Sequence, residues 1–441
     1  MKTAVVVGGG IAGVVAAMVL RQKYKVVLIE RSSECGGLLR SVSYGNQYYF
    51  DMGTHVLSDT GVPELDRMLY GWLPENLWNR IDVLKTGNYF ARQLFPHNQY
   101  VNAASLPSPL YQQGFFDLLN TEPDQESQAA NCMEYCIARF GRTFAEAIYR
   151  PVIRKLSGNE PENLHPYVVS LYNLQRLIVA NRHVSSELKK SDFYDAKLSY
   201  FSYSEGVSSA KKYYPNNGKG IGQWMNGLER RLEAEGVNIR TGSQIKRIIH
   251  QEGLVNALEL STGEILTCDK MVWTIPASFL ASLAELGLSF RKPQLRSMSL
   301  HHFVFDEPFQ VDNHYLYCWE ETFNTFRITL YPNMIAESGA SPAHHQCTVE
   351  VFSDGSDLQV LRGQAEAELR AMGVVPASAT VSLSESQQVL EGFPLMTHDF
   401  VNDTAEANSR IGQAFHNVLL LGKAAGGAFF MNDVMVHAYR E

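Results

Sequence analysis

Ala4-Val5-Val6-Val7-Gly8-Gly9-Gly10-Ile11-Ala12-Gly13 decides the fold. Ala4 to Val7 is a short apolar run of strand type. Glycines follow at once, then an apolar helix pattern from Ile11 to Leu20, then a second strand from Lys25 to Ile29 that ends on Glu30. Strand, glycine turn, helix, strand and acid in this order form the dinucleotide-binding fingerprint of a Rossmann-like unit. Each glycine has a steric task. Gly8 makes the tight turn, Gly10 lets a pyrophosphate approach the backbone, and Gly13 lets helix and strand pack closely. The helix N-terminus, beginning with Ile11 and Ala12, offers free N–H groups and the positive end of the helix dipole to phosphates. Glu30, with 16 residues between it and Gly13, is spaced to accept hydrogen bonds from the adenosine ribose. The competing reading is a Gly-rich turn in an ordinary βαβ unit.

Bulk properties narrow the class. The 441 residues suffice for two or three packed units. A content of 45% hydrophobic and 19% charged residues suits a globular protein that is not membrane-embedded. The net charge of -8 and the lack of a basic run argue against a nucleic-acid partner. Six scattered cysteines, Cys35, Cys132, Cys136, Cys268, Cys318 and Cys347, form no CxxC pair. Cys132 and Cys136 lie four apart in a helical segment, but no partner pair has ligand spacing, so buried thiols and no metal site are expected. The chain opens on a buried-type strand and has no uninterrupted apolar run near the roughly 18–20 residues of a membrane span. A cytoplasmic protein without a signal peptide or transmembrane segment is expected.

Along the chain, Gly36-Gly37-Leu38-Leu39-Arg40-Ser41 gives the backbone a second close approach to a ligand. A hairpin from Val42 to Phe50 delivers Asp51-Met52-Gly53-Thr54-His55. Residues 62–135 read as mixed helix and loop, with a strand or hairpin at Tyr89–Pro96. Helical patterns cover 131–141, 142–156 with an interruption at Pro151, and 164–182. The aromatic-rich stretch 191–214, with Phe193, Tyr200 and Tyr214 among its rings, reads either as core packing or as a pocket lining. Gly218-Lys219-Gly220-Ile221-Gly222 is a helix-starting loop rather than a phosphate loop, because it follows Pro215 and two asparagines instead of an apolar strand. Strands are expected at 237–239, 245–249 and 271–276. Residues 297–400 alternate as an antiparallel sheet with a helix at 358–372. Asn417 to Gly422 reads as a buried strand, Lys423 to Gly427 as a Gly-rich turn, and Met431 to Tyr439 as a helix.

These motifs together resemble the FAD-dependent protoporphyrinogen oxidase and flavin amine oxidase-like superfamily, with UDP-galactopyranose mutase as a relative. Gly36-Gly37 looks like the superfamily's glycine pair, although Leu38 stands where an arginine is common. Phe50 to His55 is similar to an aromatic-Asp-x-Gly-x-His segment that runs close to the flavin ring. Phe140-Gly141, Arg150-Pro151, Lys155 and Gly158 resemble a helical-domain signature. Gly422 to Asp433 is similar to the C-terminal flavin motif, with Lys423 where relatives carry Arg or Asn and a spacing to Asn432 that is one residue longer.

The resemblance implies an α/β fold. An FAD-binding Rossmann-like domain is built from three separated parts, 1–70, 215–290 and 405–441. A mostly helical subdomain covers 71–214 and an antiparallel-sheet substrate domain covers 291–404. FAD is the implied cofactor. Its expected contacts are Gly8, Gly10, Ile11, Ala12, Gly13, Glu30, Arg31, Gly37, Leu38, Gly53, Thr54, His55, Ile245, Thr274, Gly422, Asn432, Asp433 and Val434. His55 and Lys423 are the candidate catalytic side chains, each weighed against a structural role. Arg92, Arg150 and Lys155 are candidate anion clamps, weighed against ordinary ion pairs. Three functions stay open: a redox enzyme whose flavin takes a hydride from a small molecule, a non-redox flavoenzyme acting on a nucleotide sugar, and a non-catalytic flavin-binding subunit. A homodimer is compatible with each.

Overall fold

The computed structural model describes residues 1–207, 210–335, 345–353, 355–426 and 430–441. The chain divides into two compact units. The first comprises Met1–Arg80, Ala210–Lys292 and Asp399–Glu441; the second comprises Ile81–Ser209 and Pro293–His398. The fold is α/β, with a Rossmann-like unit assembled from separated stretches and antiparallel sheets elsewhere. No helix among the described residues is long and apolar enough to cross a membrane.

The first unit is built on five parallel strands. They are β1 (Thr3–Val7), β2 (Lys25–Ile29), β3 (Asn238–Arg240), β4 (Lys270–Trp273) and β5 (Val418–Leu420), in the spatial order β3-β2-β1-β4-β5. Parallel strands buried on both faces read as continuous apolar runs, which is why Ala4–Val7 shows no polar alternation. The alternation is instead between two cores. Ala4 and Val6 pack with helices α1 (Ile11–Leu20), α2 (Gly222–Ala234) and α3 (Met431–Arg440). Val5 and Val7 pack on the other face with Ile248, Leu258, Leu280 and Ile411. One row of the register joins Arg240, Ile29, Val7, Trp273 and Leu420 across all five strands. That row is the carboxyl edge of the sheet, the edge at which open α/β sheets bind ligands.

In the second unit a seven-stranded sheet runs in the order Val381–Pro394, Leu295–Phe305, His345–Ser353, Thr325–Leu330, Tyr315–Cys318, Thr86–Phe90 and Gln93–Phe95. Its pairs are antiparallel except that of Tyr315–Cys318 with Thr86–Phe90. The helix Leu358–Ala371 covers one face through Leu361, Ala365 and Leu369, against Phe303, Leu316, Ile328 and Val349. The helical stretch 81–209 and the sheet thus share one compact unit.

Two local expectations change. Residues 164–182 do not form one helix: Val168–Leu171 is a single short turn of helix, a separate helix begins only at Arg182, and Leu177 and Ile178 between them bridge to Leu198 and Asn102 as extended chain. Pro166 precedes the helix and Asn173 leaves it with a φ of 57°, so the apolar spacing there serves burial rather than a helical stripe. The interruption expected at Pro151 is a change of helix type rather than a break: Arg142–Phe144 is α, Ala145–Tyr149 forms a π turn and Arg150–Ser157 is α again, the π turn being the local adjustment beside a residue that lacks an N–H. The strand Val381–Pro394 and the helix His398–Ala414 are additions to the elements expected from the sequence. Gly427 of the expected C-terminal turn lies outside the described residues.

Candidate functional site

The carboxyl edge gathers most of the residues singled out in the sequence. Directly beyond the common row lie Gly8 after β1, Glu30 after β2, Thr274 after β4 and Gly422 two residues after β5. Gly8 has a φ of 102°, and a Cβ there would overlap the Thr274 hydroxyl. That hydroxyl donates to the Val7 carbonyl at 2.8 Å and the Thr274 amide to the same oxygen at 3.1 Å, so β4 is tied to the turn. A Cβ on Gly13 would overlap the carbonyl oxygen of Gly8. Helix α1 therefore sits on the turn at backbone contact, and only glycine allows it.

Gly10 differs from both. Its φ of -70° suits any residue, and a Cβ there would meet nothing within 4 Å. Neither strain nor packing within the chain requires glycine at this position. Gly10 is also the N-cap of α1 with no side-chain capping bond, and the first turn holds no acid. An uncapped helix N-terminus beside open space is an anion-binding geometry.

The surrounding turns close on this point. Glu30 accepts from the Gly9 amide at 2.7 Å and from the Ser32 amide at 2.7 Å, so its carboxylate braces the glycine turn as well as facing the edge. The Gly36 amide donates to the Gly9 carbonyl at 2.8 Å. Gly37, at a φ of 58°, brings its Cβ position within 3.7 Å of the Gly10 Cα. Gly36 and Gly37 both have positive φ, which is the local reason for the glycine pair. Leu38 is half-buried and Arg31 exposed. Arg40 turns its Nε back to the Gly37 carbonyl at 2.8 Å and so stabilises the turn. Ile245 begins an antiparallel strand two residues after Ser243, whose amide donates to the Glu30 carbonyl at 2.9 Å.

The C-terminal return reaches the same helix. Gly422, at a φ of 61°, places its Cβ position 2.9 Å from the Ala12 Cβ and 3.5 Å from Val434, so glycine is needed for close packing against α1. Val434 is buried in α3 and packs there. Asn432 turns its side-chain amide to the Ser58 hydroxyl at 2.8 Å and the Asp59 carbonyl at 3.1 Å, an anchoring role that the sequence did not suggest. Asp433 is exposed. Lys423 is exposed in surface area, yet loss of hydration holds its ammonium below the usual lysine range. A side chain recessed among its neighbours but open to water satisfies both. Gly53, at a φ of 114°, turns the chain into Thr54 and His55, both half-buried.

The three candidate anion clamps are placed otherwise. Arg150 pairs with Glu146, Glu160 and Glu162, and its guanidinium is spent on that network. The Lys155 ammonium donates to the carbonyls of Cys318, Glu320 and Thr325 at 2.7–2.8 Å, and burial lowers its pKa. Arg92 is exposed at a φ of 58° in the turn after Phe90. Arg150 thus takes the ion-pair role weighed for it, whereas Lys155 is a structural brace on three carbonyls rather than an ion pair. All six cysteines are free and buried.

Asp51, which the sequence showed only as part of the Phe50–His55 segment, takes a role of its own in the structure. It is fully buried, and its carboxylate accepts from the Ser41 hydroxyl at 2.7 Å, the Tyr214 hydroxyl at 2.7 Å and the Ile221 amide at 2.8 Å. Burial pushes its pKa up to about 6, with the three donors working against that rise. The available signal was an acid ending an otherwise apolar strand.

Comparison with known proteins agrees with this fold. Residues 6–70 match the NAD(P)-binding Rossmann-like domain family. The 1-hydroxycarotenoid 3,4-desaturase of Flavobacterium sp. (strain P99-3) is 22% identical over 390 residues, covering 79% of this chain and 75% of that protein. Among solved structures, reduced UDP-galactopyranose mutase superposes with a TM-score of 0.76 at 17% identity, over 100% of this chain and 93% of the mutase. A candidate protoporphyrinogen oxidase from Exiguobacterium sp. 255-15 gives 0.69 at 15% identity, over 100% and 97%. At such identities the structural likeness is one of fold. Fold and sequence together bear out the resemblance of this chain to the FAD-dependent protoporphyrinogen oxidase and flavin amine oxidase-like superfamily, related to UDP-galactopyranose mutase.

Proposed function

We propose that this chain is an FAD-dependent oxidoreductase whose flavin accepts a hydride from a small-molecule substrate. The observation that carries the reading is the space over Gly10: an uncapped helix N-terminus, a glycine no neighbour requires, and two further glycine turns converging on it. A dinucleotide pyrophosphate fits that space and the donor set. The backbone of Gly10, Ile11, Ala12 and Gly37 would hold the phosphates, and Glu30 the ribose. Ile245 would meet the adenine through its backbone. Gly53, Thr54, Gly422 and the start of α3 would flank the isoalloxazine. FAD bound there supplies the hydride acceptor. This chain's residues would do the rest: His55 would donate a hydrogen bond or carry a proton, and Lys423 would offset negative charge.

The desaturase relative is an oxidoreductase by name, which supports the redox reading. The fold likeness to reduced UDP-galactopyranose mutase favours, second, non-redox chemistry on a nucleotide sugar. A spectrum of the purified protein, followed by dithionite reduction and reoxidation in air, tests the proposal. A flavin band that substrate candidates bleach supports it. A protein that neither retains nor takes up flavin refutes both readings. Turnover only after prior reduction, with no net electron flow, selects the second.

A further inference from the structure

We propose that Asp51 is the positioning residue of this site: its carboxylate clamps the hairpin leading into Gly53–His55 against the loop that starts helix α2. The inference rests on the flavin reading above and adds a residue to it.

Three chain segments meet at one buried group. The hairpin of Ser41–Tyr44 and Tyr48–Asp51 supplies Asp51 and the Ser41 hydroxyl. The strand Lys212–Pro215 supplies the Tyr214 hydroxyl, and the loop after it the Ile221 amide. Ser41 works in both directions, donating to Asp51 and accepting from the Gly222 amide at 2.8 Å. Gly220 gives an independent sign of how close this contact is. At a φ of 72°, a Cβ there would overlap both the Asp51 carboxylate and the Ser41 hydroxyl. The loop is glycine because it is pressed onto the carboxylate.

The clamp is connected to the carboxyl edge by short steps. The Met52 amide, next after Asp51, donates to the Arg40 carbonyl at 3.1 Å. Arg40 holds the Gly37 carbonyl, and Gly37 lies against Gly10. Met52 also leads directly into Gly53. Burying an ionised carboxylate is costly, as the raised Asp51 pKa records, and an apolar residue would fill the space without that cost. What an apolar residue does not do is accept three donors from three segments at once. Asp51 therefore serves placement rather than stability, and perturbed carboxyl groups of this kind gather at functional sites.

The test uses the full chain with Asp51→Asn, Asp51→Ala and Tyr214→Phe variants. Asn keeps an acceptor for Ile221 and Ser41, Ala removes every bond, and Phe removes one. Circular dichroism and urea denaturation report the fold. FAD titration, the midpoint potential of the bound flavin and hydrogen exchange at the Ile221 and Gly222 amides report placement. We expect FAD affinity to fall about tenfold or more in Asp51→Ala and about threefold in Tyr214→Phe, with Asp51→Asn recovering part of the loss. Amide exchange at Ile221 should rise in the same order, and the flavin potential should shift in folded variants. Unchanged affinity, potential and exchange in folded Asp51→Asn and Tyr214→Phe overturns the proposal, even where Asp51→Ala fails to fold. A wild-type protein that binds no FAD overturns the flavin reading instead; the exchange of Ile221 in Tyr214→Phe then still decides whether the clamp exists.

Discussion

Replacing Gly10 and Gly13 by alanine, one at a time, separates the fold of this unit from its ligand site. At Gly10 the new methyl meets no atom within 4 Å and the φ of -70° is ordinary for alanine. Alanine is a poorer N-cap than glycine by roughly 0.5–1 kcal/mol. It also restricts the unfolded chain, which returns about 0.4–1 kcal/mol. The two effects offset, so the stability of the unliganded protein should stay within about 0.5 kcal/mol of wild type. Binding should behave differently. The methyl occupies the space left for the pyrophosphate, and overfilling a close contact costs about 1–3 kcal/mol. At about 1.4 kcal/mol per tenfold, that weakens FAD roughly 5- to 150-fold. At Gly13 the methyl would overlap a backbone carbonyl oxygen, which cannot rotate aside. The gain in helix propensity, about 1 kcal/mol, does not offset this, and a loss of about 2 kcal/mol or more is expected. Urea denaturation of the unliganded variants and FAD titration by quenching of flavin fluorescence give both numbers. Wild-type FAD affinity in Gly10→Ala would refute the assignment of that space to the cofactor. Wild-type stability in Gly13→Ala would refute the packing argument.

Three further outcomes follow from the geometry. Burial holds the imidazoles of His301 and His314 at a pKa of about 4 and that of His302 at about 3, below the usual histidine value. Unfolding lets them bind protons, so stability should fall as pH drops from about 6.5 towards 4. Asp51, raised to about 6, acts with the opposite sign over roughly pH 4–6, and denaturation curves across that range for His302→Asn should show a shallower acid loss than wild type. Lys155→Ala leaves three carbonyls without their shared donor and should cost about 3–5 kcal/mol in urea denaturation; a stable variant that loses only affinity for an anionic substrate would restore the clamp reading. Lys423→Gln should leave FAD bound and abolish any limb of the flavin-reduction pH profile that lies below the ordinary lysine range, whereas an unchanged profile removes Lys423 from the chemistry.

The first forty residues carried their meaning locally. Strand, turn and helix there are set by neighbours in sequence, and the jobs read for Gly8 and Gly13 are the ones their surroundings impose. Other local patterns misled for a physical reason. The apolar spacing of 164–182 is satisfied by burial of extended chain, and periodicity alone does not distinguish that from a helix. Lysine and arginine in a signature segment read equally as clamps or as braces; the carbonyls of Cys318, Glu320 and Thr325, some 160 to 170 residues away in sequence, decide for Lys155.

By itself, then, the sequence determined that a dinucleotide-type turn exists and which glycines build it, because tight turns and helix starts depend on adjacent residues. Tertiary structure decided what stands beside that turn. The register that lines up Arg240, Ile29, Val7, Trp273 and Leu420 brings stretches more than four hundred residues apart to one edge. The clamp at Asp51 likewise joins residues that lie 10, 163 and 170 positions away. No periodicity encodes such pairings, since they arise only when sheet register and the burial of a charged group are solved for the whole unit together.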